Sequence, residues 1–195
     1  MRRTVLALML MGVGSLMTGL SAVAAGATSN ATPASSTYSD DEIVKQANSF
    51  FATGAKGLSD VLAKVLKEKG QPVAFIRGEE AGAAVAVGVR YGHGELVFKD
   101  GRHRTVYWQG PSLGFDIGAD VVKTFVLVYN LPNAEALFQR FPSVEGSLYF
   151  VGGFGVNYVQ SDAIALAPVR FGVGWRQGID VGYMHFSPEK RVNPF

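Results

Sequence analysis

Gly110-Pro111-Ser112-Leu113-Gly114 has the letters of a nucleophile elbow, G-x-S-x-G. In that motif a strand delivers the serine to a sharp turn and a helix carries the chain away, so that the hydroxyl stands exposed. The next residues, Phe115-Asp116-Ile117-Gly118, are no helix start, so the activating context is missing and a turn between strands is expected. His93, His103 and His185 are the only histidines, and none has the i, i+4 spacing of a helical zinc pair. They read as solvated loop or sheet residues. Glu79-Glu80, and Asp116 with Asp120, have the types of an acid and base pair, but nothing in the spacing aims them into a cleft. A solvated turn is expected for each pair. Gly152-Gly153-Phe154-Gly155 lacks the G-x-G-x-x-G spacing and no Walker lysine occurs, so no strand-to-helix phosphate cradle is expected. These readings give no catalytic residue, no metal ligand and no cofactor.

Two stretches offer binding chemistry instead. Residues 99–104, KDGRHR, gather Lys99, Arg102 and Arg104 at one hairpin tip, suited to an anionic headgroup or polymer or simply solvated. In residues 169–176, strand alternation places Phe171, Val173 and Trp175 on one face and Arg170, Gly172, Gly174 and Arg176 on the other. Glycines beside two arginines leave room for a shallow cationic groove; the alternative is that Arg170 pairs with a carboxylate. The candidate ligand-binding residues are therefore Arg170, Trp175, Arg176, Arg102 and Arg104.

The elements that must position them begin after an export signal. Arg2-Arg3, an apolar run over residues 5–20 and the small-x-small triplet Ala22-Val23-Ala24 predict a signal peptide over residues 1–25, with a retained anchor as the competing reading. Residues 26–38, small and polar, read as a flexible linker, and 39–195 as one domain. Of the 18 Lys and Arg residues, two lie in the signal, leaving 16 against 16 Asp and Glu. A near-neutral mature chain points away from a nucleic-acid partner. With no cysteine, stability comes from packing without disulfides.

Ser39-Asp40-Asp41-Glu42 is a capping box and starts a helix whose apolar face holds Ile43, Ala47, Phe50 and Phe51. A second helix over about 58–69 carries Leu58, Val61, Leu62, Val65 and Leu66 on one stripe and stops at Gly70. Core packing explains both stripes; the bolder alternative is a membrane-surface helix built on Lys64, Lys67 and Lys69. From Pro72 strands dominate: 73–77, 83–91, 95–99, 102–109, 123–130, 144–151, 154–160, 164–175 and 178–186. Asp100-Gly101 makes a tight hairpin, residues 132–140 contain a short helix, and strand 123–130 is apolar on both faces, as under a helix. Gly152, Gly153 and Gly155 interrupt an apolar run and predict the hinge of a curled sheet. The fold class expected is mainly β (α+β): a small antiparallel β-barrel of about eight strands with N-terminal helices and one short inserted helix.

Several short motifs then occur in order: Gly114-Phe115-Asp116-Ile117-Gly118, Val126-Leu127-Val128-Tyr129-Asn130-Leu131, Arg140-Phe141-Pro142, Tyr149-Phe150-Val151-Gly152-Gly153, Leu166-Ala167-Pro168-Val169-Arg170 and Asn193-Pro194-Phe195. Together they resemble the alphaproteobacterial envelope-integrity protein EipA family over essentially the whole mature domain. The resemblance implies a periplasmic small β-barrel needed for cell-envelope integrity, with no established enzymatic activity. Gly92-His93-Gly94, residues 108–118, 126–130 and 152–155 more weakly resemble the SYLF domain, whose better-known members bind lipids. Trp108-Gln109-Gly110-Pro111 departs from that domain's Trp-Ser-x-Pro, so no lipid-binding residue carries over.

The function expected is non-enzymatic support of the envelope from the periplasm, by binding an envelope lipid, glycan or protein partner, as a monomer or weak oligomer. A SYLF-type lipid-binding module and an envelope hydrolase are the alternatives. An outer-membrane barrel is disfavoured, because the helices and the strand 123–130, apolar on both faces, do not give the required alternation of lipid-facing and polar residues.

Overall fold

A computed structural model describes residues 36–52, 56–84, 88–112, 121–171 and 182–191. The signal and most of the linker lie outside the described residues, as do Trp175, Arg176 and the pair Asp116 and Asp120. Packing begins at Tyr38, which is buried, donates its backbone N–H to the Pro72 carbonyl at 2.8 Å and sets its ring 5.3 Å from that of Phe75.

Among the described residues two helices precede the sheet: α1 (Asp40–Phe51) and α2 (Lys56–Lys69). The capping box is present, with Glu42 N–H donating to Ser39 Oγ and Ser39 N–H donating to Glu42 Oε2. At the other end Lys123 Nζ donates to the Phe50 carbonyl at 3.1 Å, placing a cation where the helix dipole favours one. Gly70, at φ +78, stops α2 in the left-handed region.

Among the described residues ten strands follow: β1 (Ala74–Ala84), β2 (Gly88–Phe98), β3 (His103–Ser112), β4 (Val121–Tyr129), β5 (Arg140–Pro142), β6 (Tyr149–Val151), β7 (Phe154–Val156), β8 (Val159–Ser161), β9 (Ile164–Phe171) and β10 (Tyr183–Ser187). A short 3-10 helix, Glu135–Leu137, occupies the expected insert. All pairings are antiparallel, in the order β5-β10-β3-β2-β1-β4-β9-β7-β6, with β8 also on β9. The ends meet: Ser143 bridges Val159, and Val144 N–H donates to the Tyr158 carbonyl at 2.8 Å. Eight strands thus run round a barrel joined at its seam by a single bridge, while the β6–β7 hairpin flanks β9. The expected barrel is present, with ten strands among the described residues where about eight were expected.

Alternation divides the apolar side chains between two cores. Inside the barrel, all eight ring strands contribute, among them Ile76, Leu96, Trp108, Val126, Phe141, Val159, Leu166 and Phe186. On the outer face, Phe75, Phe125, Leu127, Phe154, Val156 and Val169 meet Ile43, Phe51, Leu58, Leu62 and Val65 of the helices. Phe75 and Phe125, neighbours across β1 and β4, stack at 5.1 Å and 18°. Burying each such side chain contributes about 1.5–3 kcal/mol, so the helices form a structural layer on the sheet.

Several expectations change: strand 144–151 is strand only over Tyr149–Val151, and 154–160 is divided between β7 and β8. The stretch expected as one strand over 83–91 is divided between two: Ala84 ends β1 and Gly88 begins β2, which pair antiparallel. Glu79-Glu80 is no turn: β1 runs through it. Gly110-Pro111-Ser112, expected as a turn, extends β3 opposite Gly88-Val89-Arg90. Gly152 and Gly153, expected at the hinge of a curled sheet, form the two-residue tip of the β6–β7 hairpin, where both take positive φ, 55 and 86. Gly152 also touches α2: a Cβ on it would lie 2.4 Å from Gly57 Cα, so two glycines let the hairpin abut the helix.

Candidate functional site

The polar interior of the barrel is built round Glu80. Strand alternation brings Glu80, Arg90, Thr124 and Arg170 to the same inward side as the apolar core, and all four are buried. Arg170 donates to Glu80 from Nε at 2.8 Å and from Nη2 at 3.2 Å, and to Asn157 Oδ1 from Nη1 at 2.6 Å. Trp108 Nε1 donates to Glu80 Oε1 at 2.7 Å. The indole reaches that carboxylate because Gly78 and Gly92 leave it space: a Cβ on Gly92 would lie 2.1 Å from Trp108 Cε2, and one on Gly78 2.7 Å from Cη2. A bidentate, multiply bonded pair of this kind is a fixed internal structure. Arg170 therefore pairs with a carboxylate and does not line an open cationic groove.

The hairpin-tip cations are exposed but paired. Arg102 Nε donates to Asp100 at 2.7 Å, Arg104 Nη1 to Glu135 at 2.7 Å, and Lys99 meets Glu42. Hydrogen bonds from Arg77 and then from His103 hold the Glu95 carboxyl below its ordinary value. The structure places Arg102 and Arg104 at the surface and Arg170 inside the barrel, so these sequence candidates do not converge.

Another surface does converge. On the sheet face turned away from the barrel interior, β2 presents Tyr91 and His93, and β3 presents Gln109 and Tyr107 opposite them. Ala81 of β1 lies across from Tyr91. Beyond β10, Ser187 Oγ donates to the Glu189 carbonyl at 2.7 Å and fixes the turn that brings Lys190 and Arg191 to the edge of this surface. The result is a groove of about 360 Å³, open to solvent, with Tyr91, His93 and Tyr107 among its walls and Lys190 and Arg191 at one side. Such a volume falls within the range of about 300–1,000 Å³ usual for small-molecule sites. Lys190 and Arg191 make no ion pair among the described residues. Burial first, then the charges of Arg191 and Arg140, hold the nearby His185 imidazole below its ordinary value, so it is neutral at pH 7.

Tyr91, His93, Tyr107, Lys190 and Arg191 were not among the sequence candidates for binding. The available signal was the register: counting outward from Asp100-Gly101 sets His93 opposite Tyr107 and Tyr91 opposite Gln109. Among the described residues no cluster of three or more His, Asp or Glu side chains is placed to hold a metal, and no helix is long and apolar enough to cross a membrane.

Fold and site together define a barrel-like β domain, buttressed by two helices on one outer face and carrying an open, cation-edged groove on another. The family described as "Envelope integrity protein A" matches residues 36–195, and the chain belongs to that family. The family's name connects its members with the integrity of the cell envelope. A similar solved structure is that of a β-barrel-like, uncharacterised protein from Brucella abortus, 36% identical, covering 83% of this chain and 100% of that one, with a TM-score of 0.76. None of the curated proteins matches the chain.

Proposed function

We propose that the chain is exported to the periplasm by a cleaved signal, residues 1–25, and supports envelope integrity there as a non-enzymatic binding protein for an envelope component. The observation that carries the binding role is the groove: rigid strands hold its aromatic walls, and at its edge stand two cations that make no ion pair among the described residues. Sites on strands are preorganised and bind with little ordering cost. The packing of Trp108, Phe141 and Phe186 on one another inside the barrel favours a surface ligand over an acyl chain held within.

Native mass spectrometry of the full-length chain, expressed in its host and recovered from the periplasmic fraction, tests this reading. A mature mass beginning near residue 25, with a stoichiometric adduct lost on denaturation, is expected. Retention of residues 1–25 in the cytoplasm, or a bare mass in repeated mild preparations, would overturn it; a phospholipid adduct would favour the lipid-binding module instead.

A further inference from the structure

We infer that the groove formed by β1, β2, β3 and the turn after β10 is a binding site for an anionic saccharide, a sugar bearing a carboxylate or phosphate. This rests on the binding role proposed above and names the ligand chemistry. Three observations carry it.

First, the groove joins aromatic rings to cations. Tyr107 and Tyr91 stand on neighbouring strands, with His93 directly opposite Tyr107 and Gln109 opposite Tyr91. Tyrosine offers an apolar ring face and a polar tip at low entropic cost, which suits a pyranose, whose ring is apolar on one face and hydroxylated at its rim. Second, the formal charge at the groove is of one sign. Among the described residues Lys190 and Arg191 line it and no acidic side chain does; Glu79, opposite His93 in register, is not part of its wall. Charge-assisted bonds from a guanidinium and an ammonium are the usual means of holding carboxylate or phosphate. Third, the shape fits a short glycan better than a lipid tail. The groove opens to solvent along a flat sheet face, and its apolar surface is aromatic rather than a deep aliphatic channel. The sugar ring would lie against Tyr107, with its anionic group toward Lys190 and Arg191.

The test is isothermal titration of the full chain with trigalacturonic acid and mannose 6-phosphate, against maltotriose as the neutral control. Vesicles of phosphatidylglycerol and inorganic phosphate serve as competing sources of negative charge. At least one anionic sugar is expected to bind about tenfold or more tightly than maltotriose. The double variant Lys190→Ala/Arg191→Ala should lose that preference, and Tyr107→Ala should weaken binding while Tyr107→Phe keeps it. Both cations are exposed, so the double variant is expected to fold, which circular dichroism checks. Equal affinity for the neutral sugar, binding to vesicles alone, or full displacement by equimolar phosphate would overturn the inference. If these sugars fail but an envelope ligand seen by native mass spectrometry is lost in the double variant, the ligand class falls and the binding role stands. If that ligand persists in the variant, the groove is refuted as its site.

Discussion

Replacing Glu80 with leucine removes the carboxylate that accepts two bonds from Arg170, at 2.8 and 3.2 Å, and one from Trp108 at 2.7 Å. The Arg170 side chain is 1% exposed, so its charge has no route to water. Breaking a buried pair from one side costs about 3–5 kcal/mol, because desolvation of the remaining ion is no longer compensated. At about 2–4 °C per kcal/mol for a domain of this size, the melting temperature should fall by about 6–20 °C. Removing both charges is a different perturbation. Glu80→Leu/Arg170→Met leaves no buried ion at this pair and should recover most of the loss, giving a coupling of about 2 kcal/mol or more in a double-mutant cycle. Urea denaturation followed by tryptophan fluorescence is the assay, and Trp108 reports directly because its indole N–H loses its acceptor. A Glu80→Leu protein within about 1 kcal/mol of wild type, or a double variant that loses the sum of the two single costs, would refute this reasoning.

Gly92→Ala drives a methyl into the indole of Trp108 and should cost about 1–3 kcal/mol in the same urea assay, since overpacking forces side chains off their rotamers. Glu42 ties the α1 cap to the β2–β3 hairpin, and the hydrogen bond from Lys99, then that from Ser39, lowers its carboxyl from 4.5 to about 2. A depressed folded value gives stability that is complete above 4.5 and lost as pH falls toward 2, so Glu42→Gln should flatten that part of the acid limb in pH-dependent melts. Burial raises the phenols of Tyr129 and Tyr158, the latter also donating to Glu68. Their contribution is intact below 10.0 and falls above it, so an ultraviolet titration should show these two of the seven tyrosines ionising only as the chain unfolds.

Local signals were legible where local physics decides. The Ser39–Glu42 box, the Gly70 stop, the Asp100-Gly101 hairpin and the helix-covered strand β4 each follow from a few neighbouring residues, and each is where the sequence puts it. What stayed hidden was non-local. Gly78-Glu79-Glu80 has turn-like composition, yet it is strand because Gly78 must clear the Trp108 ring and Glu80 must meet Arg170, ninety residues away. The break between β7 and β8 at Asn157-Tyr158 has a similar cause: Asn157 turns its amide oxygen to Arg170, and Tyr158 N–H donates to Ser147 Oγ. Barrel closure was suggested by strand number, but its seam, Ser143 with Val159, joins segments that no turn signal connects. The groove was invisible for a related reason. Lys190 and Arg191 look like an ordinary charged tail until the Ser187 turn carries them to Tyr107.

The most direct test of a groove-dependent envelope role is complementation in the native host. A strain lacking the protein receives the full-length chain or its Tyr107→Ala/Lys190→Ala/Arg191→Ala variant, and survival under detergent challenge is scored after immunoblotting confirms equal folded protein in the periplasmic fraction. Wild type should restore resistance and the groove variant should not. Full rescue by the groove variant at equal abundance would contradict the claim that this surface is where the protein does its work.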